Sequence, residues 1–517
     1  VGIATRLRSC NFECIGQGQA EKIFIKLSGF LGIAASVGAV VQSLDSDRHG
    51  VLLEPWRRWT AYEFQIWHSA CKKQGLAMKS WELALPLVGL KIRRIFLERE
   101  LALTVPDIDP LPWPDDSLTY VPYGVYNDPG QYALENERLF KGPSWNYLCL
   151  SAEIQEPGDF IVTGIAGMTI IVVRNHDGQI NAMVNRCAHR GAMLCLKRRG
   201  NARKFSCVYH AWSYDLDGNL TNVAFAKGIR GEGGMDDGFD MADHGLRRLR
   251  VAVYCGLVFG SFSPDTPEIK AYLGPEICAR LSRVLHKPVR VLGRNTQVLP
   301  SNWKLYVENV KDSYHASILH LFFTTFRMNR LTQKGGIIVD ESGGNHVSYS
   351  MIDPDIDNST YAQADMRSDN ASVCLEAPEM LNNVDEFGDG ITLQILSVFP
   401  GFVLQQIRNA IAVRQVLALD ADRTELNWTY LGFEDDDEAM TEHRLRQCNL
   451  VGPAGYISME DGAVGDFVQR GIRGVSEDVS VVKMGGGDVT SSASRVTESS
   501  IRGFWKKYRA LMEQPQP

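Results

Sequence analysis

Nothing in this 517-residue chain spaces cysteines as a disulfide framework would, and no internal repeat or long low-complexity segment interrupts it. The eleven cysteines are odd in number and scattered, which excludes a disulfide-stapled scaffold and fits a reducing cytoplasm where free thiols persist. Positive charge is not in excess: 54 Lys+Arg stand against 61 Asp+Glu, a net of −7, which argues against nucleic acid as a partner. Membrane-length hydrophobic runs are lacking too. The uncharged, apolar-to-small stretch Leu27–Val41 covers fifteen residues, short of the ~20 a membrane span requires and closer to a signal-peptide core. What is present is 44% hydrophobic content over a long chain, enough to bury large cores in two or three domains.

The most informative residues are Cys187-Ala-His189 and, seventeen residues later, Cys207-Val-Tyr-His210. Two such pairs, each expected at the tip of a hairpin, can hold two adjacent irons differently. The thiolates take one iron of a [2Fe–2S] cluster and two neutral imidazoles take the other, which raises the reduction potential and points to electron transfer. Arg186 and Arg190-Gly191-Ala192 flank the first pair; Tyr209, Trp212, Tyr214 and the turn Asp217-Gly218 flank the second. Rings and tight turns there can shield the sulfurs and aim backbone N–H groups at them. A structural zinc ion is the bland alternative, but zinc usually takes its cysteines as C-x(2–4)-C pairs.

A second constellation begins at Asn302 and ends on His315, with His320 following in an H-x4-H spacing. Five residues of uninterrupted α-helix turn through about 500°, so the two rings share a face only if the helix bends or breaks between them. Two histidines and one carboxylate make a facial triad on Fe(II) that leaves positions open for O2 chemistry. A late acidic stretch, Ser458-Met-Glu-Asp-Gly462, offers two candidate carboxylates, Asp461 and Glu460.

Asn185-Arg-Cys-Ala-His-Arg-Gly-Ala192 and Cys207-Val-Tyr-His-Ala-Trp-Ser213, followed by the histidine pair, resemble the large subunits of the Rieske ring-hydroxylating oxygenases. The resemblance runs densely from about Tyr120 to the C-terminus, through segments such as Trp145-Asn-Tyr-Leu-Cys149 and Ile395-Leu-Ser-Val-Phe-Pro-Gly-Phe402. The branch it falls in acts on terephthalate, with relatives acting on salicylate and anthranilate. The resemblance implies a [2Fe–2S] cluster on Cys187, His189, Cys207 and His210, and a mononuclear iron on His315, His320 and Asp461. It implies that Asp312 bridges the centres, bonded to an iron-ligating histidine and to a Rieske histidine of a neighbouring subunit, and that Asn309 lies near the iron. Arg414 and Arg495 match two carboxylate-binding arginines, and Ser348 a serine that assists one of them. Two cationic forks at opposite ends suit a dianionic ring. Arg408 departs from the branch by adding a third positive charge, and Gln333 is a further candidate for the pocket.

The implied activity is cis-dihydroxylation of an aromatic carboxylate, terephthalate first, with O2 and with NAD(P)H electrons delivered by a separate reductase. An oxygenase for salicylate, anthranilate or another benzoate-type acid is the alternative, and a Rieske electron carrier without oxygenase activity is an alternative of another class. A ring of three large subunits, a small β-subunit (α3β3) and a cytoplasmic location are expected with it.

Residues 1–105 carry 14 Lys+Arg against 9 Asp+Glu and four of the ten tryptophans, unlike the remainder. They are expected to be an extension outside the family's fold, a membrane-associating segment being the alternative. Residues 106–144 are expected to hold a Pro/Asp-rich linker, extended and poorly ordered, and the first part of the catalytic domain. An antiparallel β domain over 145–265 is expected to carry the cluster. The remainder, 266–517, is expected to be an α+β catalytic domain, an antiparallel sheet covered by helices. Its helices are predicted near 270–287, 304–330, 436–450 and 496–512, and its strands at 336–351, 391–400, 402–407, 411–419 and 424–433.

Overall fold

The computed structural model describes residues 110–352, 359–363 and 373–513; the expected extension, with Leu27–Val41, lies outside the described residues. From Pro110 onward the expected loose linker is instead docked. Leu111 and Trp113 pack on the core, the Trp113 ring lying 5.4 Å from that of Trp505 and beneath the Arg509 guanidinium. Burial of two large apolar side chains outweighs the disorder that a Pro/Asp-rich composition suggests. Strand β1 (Tyr120–Pro122) then leads to helix α1 (Pro129–Glu135). Asp128 starts that helix by accepting from the Gln131 N–H, and Pro129 fills the first turn, where no N–H is needed.

The next ten strands make three antiparallel sheets. They are β2 (Asn146–Leu150), β3 (Asp159–Ile165), β4 (Met168–Arg174), β5 (Ile180–Val184), β6 (Arg199–Asn201), β7 (Phe205–Ser206), β8 (Ser213–Tyr214), β9 (Leu220–Asn222), β10 (Arg250–Tyr254) and β11 (Leu257–Ser261). The sheets run β10-β11-β2, β5-β4-β3-β6 and β7-β8-β9. Cys207 and His210 lie where expected, in the hairpin between β7 and β8. Cys187 and His189 do not. Strands β5 and β6 occupy opposite edges of their sheet, so the first pair sits in a wide crossing loop rather than at a hairpin tip.

The catalytic domain is built on a seven-stranded antiparallel sheet. Its strands are β12 (Val289–Leu299), β13 (Gly335–Val339), β14 (His346–Met351), β15 (Ile391–Val398), β16 (Phe402–Ile407), β17 (Ala410–Asp420) and β18 (Arg423–Phe433). They are ordered β12-β18-β17-β16-β15-β14-β13, and β19 (Val479–Val481) pairs with β1. Strand β12 escapes sequence reading because it is an edge strand whose side chains are mostly half-buried or exposed, so no apolar alternation marks it.

Side chains alternate across a strand and directly paired residues share a face, so the register sorts the sheet into two surfaces. One carries Val347, Leu396, Leu404, Val413 and Leu431 against helix α2 (Pro275–Val284). The other carries Val403, Ala412, Leu426, Trp428 and Tyr430 against Trp303, Tyr306, Val307 and Val310 of helix α3 (Trp303–Lys311). The helix predicted over 304–330 is broken into α3, α4 (Ala316–Leu319) and α5 (Leu321–Thr325). Asp312, at φ −82° and ψ 99°, ends α3, and His320, at φ −83° and ψ 88°, separates α4 from α5. Helices α6 (Glu438–Val451), α7 (Ser458–Gly471) and α8 (Ser499–Met512) follow. Helix α7 is absent from the sequence reading. Its Gly462 and Gly465 lower helix propensity, yet they let the helix approach Gln297 and Ser301 closely.

Candidate metal centres and substrate site

The two Cys/His loops fold alike. In the first, Cys187 N–H donates to Ala192 O at 2.8 Å and Gly191 N–H to Cys187 O at 3.0 Å. In the second, Cys207 N–H donates to Trp212 O at 2.8 Å and Ala211 N–H to Cys207 O at 3.0 Å. The fourth residue after each cysteine turns into the left-handed region, Gly191 at φ 75° and Ala211 at φ 56°. Both cysteines are buried among Phe160, Met183, Trp212 and Tyr214, while both histidines are exposed with ring centroids 4.6 Å apart. Sulfur therefore sits inward and imidazole at the tip. His189 stacks on Trp212, Tyr209 stacks on His210, and the Tyr214 hydroxyl lies 3.4 Å from Cys187 Sγ. Two thiols set inward and two neighbouring imidazoles set outward suit a two-iron core with sulfur on one iron and nitrogen on the other.

His315, His320 and Asp461 do converge, with donor atoms all within 4.8 Å. The break expected between the two histidines is not there: one helical turn, α4, runs from His315 to His320 and ends only at His320, so the rings reach one point from the two ends of a single short turn. Asp461 Oδ1 lies 3.5 Å from His315 Nε2 and 3.2 Å from His320 Nε2, and accepts from Asn309 Nδ2 at 3.1 Å. The outer nitrogens face other carboxylates: His315 Nδ1 lies 3.2 Å from Asp312, and His320 Nδ1 lies 2.7 Å from Glu460. Glu460, weighed as a ligand from sequence, thus points to the far side of His320, and adjacent positions on α7 separate the two roles. Burial opposes a charged imidazole at His315, yet Asp312 and Asp461 push it up to about 10. Burial likewise opposes ionisation of Asp461, but the two histidines hold its carboxyl far below the usual range. Two imidazoles and a carboxylate, each held from behind, are a donor set suited to Fe(II).

Arg414 and Arg495 are not on a solvent face. They are 4% and 2% exposed, and among the described residues neither is paired with a carboxylate. Arg414 donates to the Tyr306 hydroxyl at 2.8 Å and stacks 4.3 Å above Trp428, its direct cross-strand neighbour. Arg495 donates to Asn329 Oδ1 and to the Arg330 carbonyl, and burial lowers its pKa to about 10. Arg495 lies beside the start of β13, where a side chain added at Gly335 would meet its Nε at 3.2 Å, while Ser348 and Arg414 share one face of the sheet. Ser348 is buried on β14. Gln333 accepts from the Arg330 N–H, and Arg408 occupies the β16–β17 turn at φ 54° with its ionisation depressed by burial. Tyr306 and Trp428 were missed by sequence reasoning, and Glu460 was weighed as an iron ligand rather than as the partner of His320 Nδ1. Only cross-strand register and helix packing connect them to the site.

Residues 144–230 match the Rieske [2Fe-2S] domain, and residues 282–514 match the catalytic domain of the ring-hydroxylating alpha subunit. The chain belongs to the alpha subunits of the Rieske ring-hydroxylating oxygenases, and is an oxidoreductase with a Rieske [2Fe–2S] cluster and a mononuclear non-haem iron. It is 59% identical over 402 residues to subunit alpha 2 of the terminal oxygenase component of terephthalate 1,2-dioxygenase from Comamonas sp., covering 78% of this chain and 97% of that one. To the large subunit of anthranilate 1,2-dioxygenase from Burkholderia cepacia it is 44% identical over 407 residues, 78% of this chain and 96% of that one. The fold is that of naphthalene 1,2-dioxygenase from Rhodococcus sp., with a TM-score of 0.65 at 24% identity over 77% of this chain and 95% of that one. A quaternary ammonium Rieske monooxygenase shares it at a TM-score of 0.61, 20% identity, 79% of this chain and 100% of that one. A catalytic domain of this family excludes a Rieske-only electron carrier. Among the described residues no helix is long and apolar enough to cross a membrane.

Proposed function

We propose that this chain is the large oxygenase subunit that cis-dihydroxylates an aromatic dicarboxylate, with terephthalate as the substrate. The observation that carries the reading is the pair of buried guanidinium groups, Arg414 and Arg495, which among the described residues have no carboxylate partner and each keep an unpartnered Nε. A buried cation lacking a counter-ion is costly, and a planar dianion with a carboxylate at each end satisfies both. Ser348 adds a hydroxyl on the sheet face of Arg414. The relative at 59% identity, whose name carries terephthalate, supports the assignment. Anthranilate and salicylate oxygenases at 44% and 36% identity make a benzoate-type acid the second reading.

In this reading Cys187, His189, Cys207 and His210 hold the cluster, and His315, His320 and Asp461 hold the iron. When bound, these groups supply one-electron transfer and O2 activation. Asp312 and Glu460 orient the imidazoles by their outer nitrogens. Arg414 and Arg495 fix which ring edge lies over the triad. The overall reaction consumes O2, two electrons and two protons, and both oxygen atoms enter adjacent ring carbons. The exposed imidazoles of the cluster loops suit approach to Asp312 of a second copy, which supports a ring of three large subunits, with a small β-subunit and a separate NAD(P)H reductase alongside. The free thiols among the described residues support a cytoplasmic location.

The test offers terephthalate, isophthalate, phthalate, benzoate and salicylate to the anaerobically prepared, iron-loaded protein with reductase, NADH and O2, with products read by mass spectrometry. A dihydrodiol from terephthalate alone is the expected result. Turnover of benzoate or salicylate instead discards the two-arginine clamp.

A further inference from the structure

Gln405, on β16, is 1% exposed, and neither its amide nitrogen nor its amide oxygen has a hydrogen-bond partner. A buried carboxamide with four unmet hydrogen-bonding valences is expensive, so what it faces is informative. The register runs straight across the sheet through Ser348, Ile395, Gln405, Ala412 and Tyr430, one row on the face that α3 covers. Strands lie ~4.8 Å apart, so Gln405 stands two strands from Ser348 and diagonally one strand from Arg414. Its neighbours in the row are Ile395 on one side and, on the other, Ala412, too short to fill the space beside it. Arg414 Nε and Trp428 Nε1, on the same face, are unpartnered as well. Three side chains on adjacent strands of one face thus carry unmet donors, on the face covered by α3, the helix that carries Asn309.

We propose that Gln405 is a substrate-orienting residue, donating its Nε2–H to the carboxylate that Arg414 binds and so fixing the rotation of the ring over the triad. The inference rests on the aromatic-dicarboxylate reading given above. Two arginines already balance two carboxylates, so a neutral donor adds direction without adding charge. A glutamate at this position places a third negative charge beside the bound dianion.

The test uses the complete oxygenase with cluster and iron in place. Terephthalate affinity is measured anaerobically by calorimetry; KM, kcat, product regiochemistry and peroxide release are measured in turnover. Q405M, nearly isosteric and apolar, is expected to raise Kd and KM on the order of tenfold with a smaller change in kcat, and to release more peroxide per NADH. Q405E is expected to raise Kd further. The cluster's visible spectrum and the unfolding temperature should stay at their wild-type values in both. Binding of terephthalate by Q405M within about twofold of wild type overturns the proposal, because the amide then faces only water. If Q405M proves too unstable to purify, Q405N keeps the amide but shortens its reach. A weakened Kd at unchanged stability then supports the role, and an unchanged Kd overturns it. Failure of the wild-type protein itself to bind any aromatic dicarboxylate removes the substrate reading instead, so the two failures are distinct.

Discussion

Asp312 meets His315 twice: its Oδ1 accepts from the His315 backbone N–H at 3.3 Å, and its Oδ2 lies 3.2 Å from the ring nitrogen Nδ1. One carboxylate therefore caps the turn that begins α4 and aims the imbedded imidazole so that Nε2 faces Asp461. Asp312→Asn separates these tasks. The amide oxygen can keep the backbone cap, but the side chain no longer supplies a charged acceptor to the ring. Turnover is expected to fall on the order of 10–100-fold, with the cluster spectrum and unfolding temperature retained. Wild-type turnover in this variant removes Asp312 from the machinery.

Arg414 combines a fork, a stacking plane and a hydrogen bond to Tyr306, and lysine can reproduce only the charge. In Arg414→Lys, KM for terephthalate is expected to rise about tenfold or more, with a weaker effect on benzoate, which has one carboxylate fewer to hold. Equal losses on both substrates in steady-state assays assign Arg414 to folding rather than recognition.

The Tyr214 hydroxyl lies 3.4 Å from Cys187 Sγ and accepts from the Ala188 N–H at 3.0 Å. A donor to a ligating sulfur stabilises the reduced, more negative cluster. Tyr214→Phe is expected to lower the reduction potential, followed by redox titration of the cluster's visible absorption. A potential equal to wild type shows that the hydroxyl donates elsewhere.

Local spacing made the metal ligands readable, because each loop or helix break places its donors within a few residues of one another: Cys187 with His189, Cys207 with His210, His315 with His320. The late strands were readable for a similar reason. In β18 the alternation of Thr424, Leu426, Trp428 and Tyr430 with Glu425, Asn427 and Thr429 is a period-two pattern. What sequence could not supply was register between distant strands. Gln405 joins Ser348 only through β15, and Trp428 meets Arg414 only because β17 pairs with β18. Helix α7 and strand β12 hid behind glycines and half-exposed polar residues, although α7 presents both Glu460 and Asp461 to the histidines. Resemblance supplied Asp461 as the third ligand, and the geometry explains the choice over Glu460 by direction rather than by chemistry.

Glu308, on α3, accepts from the Tyr126 hydroxyl at 2.9 Å and from Trp505 Nε1 at 2.6 Å. Burial outweighs both bonds and raises its carboxyl from an ordinary 4.5 to about 7. In the unfolded chain it ionises near its ordinary value, so between those two pH values the folded chain retains a proton that the unfolded chain has released. Stability from this group is therefore lost as pH rises through that window and stays lost above it. Glu308→Gln removes the titration and keeps an oxygen that can accept both bonds. Relative to wild type, the variant is expected to gain stability as pH rises, by ~1–2 kcal/mol near neutrality after allowance for partial solvent access. Denaturant unfolding of both proteins at a series of pH values measures the difference. A gap that widens with pH confirms the raised carboxyl, a constant gap assigns Glu308 an ordinary ionisation, and a gap that narrows reverses the sign and places the stabilising form on the carboxylate.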